Sequence, residues 1–521
     1  MMWSGGWRQR LWERIRDPWD VIILGGGISG AGVFREASRR GLKVLLLERD
    51  DFAAATSSAS SKLVHGGLRY LAQGQWRVTR TAVREREHLL RAAPGLVEPL
   101  EFLLPLRRGM HPLLMGIGLS AYDFLAGRSA PRHRRVGRDE LATRLPLPLA
   151  GDLRGAYRFR DAVSDDARLV FRLLAEGLGE NSAAANYIVA ERLLAAKGRV
   201  CGVAVRDRIL GRHAELHARV VIDATGTAAG RLDPARDPAP HLRPLRGSHL
   251  VFPFWRLPLP AAMILRHPRD GRFLFAFPWL GRTLLGTTDL DHASGPVVMS
   301  RQEGAYLIAA LTDYFPGLGL DTGAALASYS GLRAIVGSGH GAPSSASREE
   351  AIWHRPGLVG VAGGKLTSFR RIAHAVLRQA AAELGPAAPT ALAPAFDAVA
   401  QPPSGRLTPG TWHHLLGRHG RQAPALLAQA RSDALAPVAD TEVLWAELGW
   451  SAQNEAVEHL DDLLLRRTRL GLLLPAGGSA RLKEIGARIR PLIGWDQTCW
   501  ESEVKRYRAL WSARHRPEGY P

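Results

Sequence analysis

Hydrophobic and polar positions along the chain fall into three regimes. Near the N-terminus the apolar residues come in short unbroken runs, the mark of strands buried on both faces. Residues 20–24 (DVIIL) are one such run. It breaks at residues 25–30, and residues 28–40 carry helical spacing that Gly41 ends. Residues 43–47 (KVLLL) are a second buried strand, closed by Glu48, which completes a βαβ unit. Residues 79–92 read as a charged helix, and residues 219–222 as a strand leading into Asp223-Ala-Thr-Gly226. From 248 to 329, aromatic and β-branched residues with turn signals predict an antiparallel sheet with one or two helices. Residues 359–369 read as a strand, a glycine pair and a helix start. Residues 386–409, rich in Pro and Ala, read as a linker, and residues 412–521 are helical in pattern.

Composition bounds this picture. A chain of 521 residues exceeds one hydrophobic core, so two or three domains are expected. Lys and Arg number 69 against 49 Asp and Glu, a net charge of +20. Such a surface favours phosphorylated metabolites, nucleic acid or acidic lipid, and arginine placed at every tolerant site gives the same total. The excess is spread without a compact basic and aromatic block, so no nucleic-acid partner is expected. Cys201 and Cys499 lie in no disulfide or zinc spacing, which fits a reducing, cytoplasmic compartment and no metal.

Two segments bear on membranes. Residues 1–19 form a basic N-terminal extension without a secretory core; Trp3, Trp7, Leu11 and Ile15 share one side of a short helix. Such a helix suits a membrane surface, and a loosely attached extension fits equally. Residues 113–125 are apolar between Arg107, Arg108 and His111 and, beyond, Arg128, Arg132, Arg134 and Arg135. This pattern suits attachment to anionic lipid, or a core helix with a solvated basic end. No charge-free run is long enough to span a bilayer.

The first chemical motif is Gly25-Gly26-Gly27-Ile28-Ser29-Gly30. Gly25 permits the tight turn, Gly27 lets backbone approach a pyrophosphate, and Gly30 lets the helix pack on the sheet. The helix start at Ile28 offers N–H groups to phosphates, and Glu48 is placed to accept from a ribose. This fingerprint serves NAD and FAD alike. Residues 56–70 separate them. Thr56, Ser57, Ser60, Ser61, Gly66 and Gly67 are small enough for a flat ring to lie on backbone, with Lys62 and His65 as polar handles. FAD held non-covalently is therefore expected. The fold class is α/β: a doubly wound, Rossmann-like FAD-binding domain interleaved with an antiparallel-sheet substrate domain, plus a C-terminal helical domain. The first two share residues 20–385, with the substrate part mainly at 106–154 and 247–327, and the helical domain covers 410–521.

The run TSSASSKLVHGGLRYL (56–71) resembles the signature of FAD-dependent glycerol-3-phosphate dehydrogenases. So do SDDARL (164–169), GSH (247–249), FPW (277–279), GTTD (286–289), YSGLR (329–333), GGKLT (363–367) and LRRTRLG (465–471), in that order. The resemblance covers residues 20 to about 472, and implies oxidation of sn-glycerol 3-phosphate to dihydroxyacetone phosphate by hydride transfer from C2 to flavin N5. Electrons then pass to a membrane quinone, with the protein peripheral on the cytoplasmic face of the inner membrane; a homodimer is compatible with this.

Arg333 and Arg348 resemble the family's phosphate-binding pair, and Arg69, Tyr70 and Lys365 line the same pocket. A phosphate dianion leaves water only when cations meet it. His249 is the candidate base for the C2 hydroxyl, with His65 its competitor. Thr287, Thr288 and Asp289 sit at the edge of the site. Gly226, and Gly364 with Lys365, Leu366 and Thr367, belong to the cofactor side, where backbone N–H groups favour negative charge on the reduced flavin. The family's Pro-Trp pair after Gly226 is Thr227-Ala228 here, which alters local cofactor packing. Three other readings share parts of this pattern. One is an amine, amino-acid or hydroxy-acid oxidising relative, one is an oxygen-reducing glycerol-phosphate oxidase, and one is a non-catalytic flavin-binding protein.

Overall fold

The computed structural model describes residues 3–68, 71, 74–127, 131–233, 240–337, 350–385, 392–399 and 405–520. Its first sheet runs in the order Glu350–Arg355, Leu358–Gly363, His213–Asp223, Trp19–Leu24, Val44–Leu47, Ser182–Ala185. All neighbours are parallel except the edge pair Glu350–Arg355 and Leu358–Gly363. A hairpin, Ile188–Ala196 with Arg199–Asp207, extends from His213–Asp223. The unbroken apolar runs are explained by burial on both faces. Val21, Ile23, Val44 and Leu46 pack in one core with the helices Ile28–Arg39, Asp166–Gly177 and Phe369–Gln379, while Ile22, Leu24, Leu45 and Leu47 pack in another.

The second sheet runs Leu290–Asp291, Leu242–Pro253, Arg282–Gly286, Phe273–Trp279, Ala262–Arg266, Val97–Arg107, Leu153–Ser164, Leu63–Val64, with Ala327–Val336 and Arg134–Gly137 paired alongside. It is antiparallel except where Ala262–Arg266 runs parallel to Val97–Arg107. It therefore draws on more chain than residues 106–154 and 247–327. Period-two alternation splits it between two cores. Leu250 and Phe252 face the helix Arg301–Tyr314, whereas Val251 faces the C-terminal helices. Leu463, Leu473, Tyr507 and Trp511 fill the same core as Phe277 and Trp279, so the C-terminal helices are welded to this sheet.

The N-terminal segment is neither loose nor turned outward to a membrane. Trp3, Leu11 and Ile15 are buried, Trp3 Nε1 donates to the Ala184 carbonyl at 2.7 Å, and buried Arg8 pairs with Asp207 at 3.0 Å. Residues 392–399 of the Pro-rich segment are also docked. Ala395 and Phe396 enter the first core, and Arg35 donates to the Pro394 carbonyl at 2.8 Å.

Candidate functional site

Four parallel strands end at one crevice. Leu24 lies beside both Leu47 and Asp223, and Asp223 beside Gly360, so Gly25, Glu48, residues 224–226 and Gly363-Gly364 follow on the same edge. This is where open α/β sheets bind dinucleotides. Gly25 has φ +108°, and a Cβ on it would come within 2.5 Å of the Ala224 carbonyl oxygen. At Gly30 a Cβ would meet the Gly25 oxygen at 1.9 Å, so the helix could not pack so closely. Gly27 caps the helix, and Ile28 N–H donates to Ser57 Oγ at 2.9 Å. Glu48 accepts from Gly26 N–H at 2.7 Å and Asp50 N–H at 2.9 Å; burial raises its pKa, opposed by those two donors. Gly226 faces open space, and Gly364 and Lys365 lead into the turn Leu366–Ser368, where Thr367 is buried. A turn closed to side chains at Gly25 and Gly30, open at Gly226, with a carboxylate at the next strand end, fits a dinucleotide such as FAD.

The loop after Glu48 lies between this crevice and the second sheet. Thr56 Oγ1 donates to the Leu332 carbonyl at 2.5 Å, and Ser61 Oγ contacts His249 Nε2 at 3.0 Å. Ser60 bonds Asp166 through N–H at 3.0 Å and Oγ at 2.6 Å. Lys62 corrects the expectation of a cofactor handle. Its ammonium is fully buried, 3.0 Å from both Asp166 oxygens and 2.9 Å from the Ser58 carbonyl. Burial brings its pKa down to about 8 against the pull of Asp166. Gly66 is likewise structural. Its N–H donates to the Tyr122 hydroxyl at 2.8 Å, and a Cβ would strike Val83 at 2.3 Å. Gly67 follows with φ +79°, and the His65 ring lies 6.3 Å from Phe275.

The base and phosphate candidates sit on paired strands, Leu242–Pro253 and Ala327–Val336, with His249 opposite Tyr329 and Leu245 opposite Arg333. The His249 ring stacks on Tyr329 at 4.6 Å and 11°. Its other flank is Gly286, where a Cβ would come within 2.1 Å of the ring. Burial, then the charges of Lys62 and Arg333, hold its pKa well below the histidine value. It is therefore neutral at pH 7, and its Nδ1 is buried without a hydrogen-bond partner among the described residues. Arg333 Nη1 donates to Asp289 at 3.1 Å, and its Nη2 lies 3.5 Å from Thr287 Oγ1. Asp289 also pairs with Arg272 at 3.2 Å. Thr288 Oγ1 donates to Glu303 at 2.7 Å and accepts from Ser248 N–H at 2.9 Å, which locks the two motif segments together. Arg69, Tyr70 and Arg348 lie outside the described residues.

The family described as "FAD dependent oxidoreductase" matches residues 20–367, and "C-terminal domain of alpha-glycerophosphate oxidase" matches residues 357–499. The chain is 33% identical to "Glycerol-3-phosphate dehydrogenase 2" of Mycobacterium tuberculosis (strain ATCC 25618 / H37Rv), over 96% of this chain and 90% of that protein. It belongs to the FAD-dependent glycerol-3-phosphate dehydrogenase family. The chain is also similar to "Aerobic glycerol-3-phosphate dehydrogenase" of Bacillus subtilis (strain 168), at 34% identity over 70% of this chain and 67% of that protein. The fold of this family member is similar to that of the glycerol-3-phosphate dehydrogenase from Bacillus halodurans complexed with FAD. That likeness has a TM-score of 0.76 at 23% identity, covering 98% of this chain and 97% of the other. FAD is the cofactor of the family.

Against the family motifs, Asp166 and Arg469 were in view without a role, whereas Arg272 lies in none. Glu303 carried a signal of its own: Ser300-Arg-Gln-Glu303 is a capping box, and the structure has both of its bonds.

Proposed function

We propose that this chain oxidises sn-glycerol 3-phosphate to dihydroxyacetone phosphate and passes the electrons to a membrane quinone. The observation that carries the reading is a buried imidazole, His249, with an unpartnered Nδ1 among the described residues, on the strand paired with the one that presents Arg333. An uncharged base and a fixed cation are what a phosphorylated secondary alcohol requires. Bound FAD supplies the acceptor for the hydrogen on C2 and its bonding pair. Arg333, oriented by Asp289 and Thr287, takes the substrate phosphate, with Lys365, Arg69, Tyr70 and Arg348 assigned to the same pocket. His249 takes the proton of the C2 hydroxyl. With Nε2–H donating to Ser61, the unpartnered Nδ1 is the acceptor. Thr56, Ser57, Ser60, Ser61 and His65 border the flavin, and Gly25, Gly27, Ile28, Gly30, Glu48, Gly67, Gly226, Gly364, Leu366 and Thr367 hold the dinucleotide.

The helix Pro112–Ala126 supports this acceptor and a position on the membrane. Leu113, Leu114, Ile117 and Phe124 are exposed, Phe124 at 85%, while Leu119 and Tyr122 face inward. Exposed Trp76 begins a neighbouring helix, Trp76–Ala92, that carries Arg77, Arg80 and Arg84 outward. An apolar face beside cations suits a peripheral position on anionic lipid at the cytoplasmic face of the inner membrane, within reach of quinone. Among the described residues no helix is long and apolar enough to cross a membrane. The test is steady-state turnover with a short-chain quinone and with oxygen, scored by dihydroxyacetone phosphate formed. Quinone-dependent product supports the reading. Product only with oxygen replaces the acceptor, and none with either overturns the reaction.

A further inference from the structure

The C-terminal helices reach the reaction site through one side chain. Arg469 follows the helical turn Asp462–Arg467 and is 1% exposed. Its backbone is left-handed, with φ +61°, and its Nη1 donates back to the Leu465 carbonyl at 2.9 Å. Nε and Nη2 donate to Asp165 Oδ1 at 2.9 and 2.8 Å, Nη2 also contacts Asp166, and Nη1 lies 3.4 Å from the Ser58 carbonyl. The guanidinium thus spans two carboxylates at the start of the helix Asp166–Gly177 and one carbonyl of the Thr56–Ser58 loop. Trp279 stands 5.9 Å from it.

What Asp166 does next connects this to chemistry. The same carboxylate takes Ser60 N–H, Ser60 Oγ and the Lys62 ammonium. The Ser60 carbonyl accepts from the Tyr329 hydroxyl at 3.0 Å, and Tyr329 is the face on which His249 stacks. The next residue, Ser61, holds His249 Nε2. The hydroxyl that meets Nε2 and the carbonyl that anchors the stacked Tyr329 ring therefore both lie on one turn of backbone pinned by Asp166. Asp166 carries Lys62 on one side and Arg469 on the other. Without Arg469, Asp165 and Asp166 lose the guanidinium that bridges them and keep only the charges of Lys62 and Arg168, and the turn loses its anchor from the C-terminal side.

We infer that Arg469 is a positioning residue for the oxidation, acting through Asp166, Ser60 and Ser61 to fix the His249 imidazole, so that the C-terminal helices complete the reaction site. This rests on the reading of His249 given above. The groups facing His249 are Lys62, Arg333, Tyr329 and Ser61, and Arg469 lies one shell beyond them. Removing its charge and loosening the turn both raise the affinity of His249 for a proton.

The experiment compares Arg469→Gln and Arg469→Lys with wild-type holoenzyme, and uses Arg418→Gln as a stability control. Arg418 is buried against Glu447 within the C-terminal helices, and its side-chain hydrogen bonds go to Glu447 and the Glu442 carbonyl, with only its charge reaching Asp165. Flavin reduction by sn-glycerol 3-phosphate is followed at saturating substrate across pH, with the flavin content of each protein matched. Arg469→Gln is expected to lower the rate constant roughly 10- to 100-fold. The apparent substrate affinity changes by less than about twofold, because the Arg333 contacts are untouched. The acid limb moves to higher pH. Arg469→Lys restores part of the rate and of the limb. Arg418→Gln lowers the melting temperature while the rate and limb stay at wild-type values.

An independent readout is side-chain NMR of His249 in the resting holoprotein, assigned by its absence in His249→Gln. Its resonance and titration are expected to shift in Arg469→Gln. If that variant does not fold, Arg469→Lys carries the test alone: a lowered rate and a displaced His249 titration support the inference. Wild-type rate, limb and His249 titration in a folded Arg469 variant overturn it, whatever the melting temperature. If wild-type flavin is not reduced by this substrate, the proposed reaction fails, and the NMR arm still decides whether Arg469 positions the ring.

Discussion

Asp289 holds Arg333: the carboxylate is almost wholly buried, accepts from Nη1 at 3.1 Å, and fixes the guanidinium beside Thr287. A second cation, Arg272, shares the same carboxylate at 3.2 Å. The arrangement leaves Arg333 oriented before any substrate arrives, which lowers the ordering cost of binding.

Asp289→Asn keeps the shape and removes the charge that orients both arginines. The expected result is a rise in KM for sn-glycerol 3-phosphate of roughly 10- to 100-fold, about 1.5–3 kcal/mol, the range of a charge-assisted hydrogen bond. kcat falls less. Steady-state kinetics with a fixed acceptor concentration check the split.

The pH dependence follows from His249 and His515. Burial holds His249 well below the ordinary histidine value of about 6.5, and burial brings His515 down to about 4. Both folded-state values lie below the unfolded one, so the unfolded chain binds these protons first as pH falls. Their contribution is complete above about pH 6.5 and is lost as pH drops toward the folded-state values. Chemical denaturation at pH 7.5, 6 and 5 is expected to show falling stability, less steep in His515→Gln.

Glu48 and the glycine turn were legible because a dinucleotide cradle is local. Gly25, Gly27, Gly30 and the strand-end acid lie within about one βαβ unit, and their spacing alone fixes the geometry. Arg469 was not legible in this way. Its partner Asp165 is 304 residues away, and only tertiary packing brings them together. Lys62 shows the same limit from the other side. A lysine in a cofactor motif reads as a handle, but burial leaves an ammonium no stable place except against a carboxylate, and Asp166 supplies it. The fold class was legible because parallel strands buried on both faces leave unbroken apolar runs. The parallel junction between Ala262–Arg266 and Val97–Arg107 joins distant segments, so no local pattern records it.

Asp51 ties the first sheet to the C-terminal helices, contacting both Arg466 and Arg467, all three buried. Asp51→Ala leaves two buried guanidinium groups short of a counter-ion. Breaking such a pair typically costs about 3–5 kcal/mol. The expected outcome is that loss in urea denaturation of the holoprotein, with a smaller loss in Asp51→Asn.

The exposed face of the helix Pro112–Ala126 gives a prediction separable from catalysis. Leu114→Glu with Phe124→Glu is expected to abolish binding to vesicles containing anionic lipid, since each side chain contributes roughly 1.5–3 kcal/mol when buried. Turnover with a soluble electron acceptor is expected to stay at the wild-type rate. Co-sedimentation with vesicles and the soluble assay, run on the same preparation, check both halves.

The most direct measurement is anaerobic absorbance of the oxidised-flavin band when sn-glycerol 3-phosphate is added to the holoprotein. Rapid bleaching is predicted with this substrate, none with glycerol at equal concentration, and none with Arg333→Ala at the concentration that saturates wild type. Bound flavin that stays oxidised with sn-glycerol 3-phosphate, or that bleaches equally with glycerol, would contradict the account.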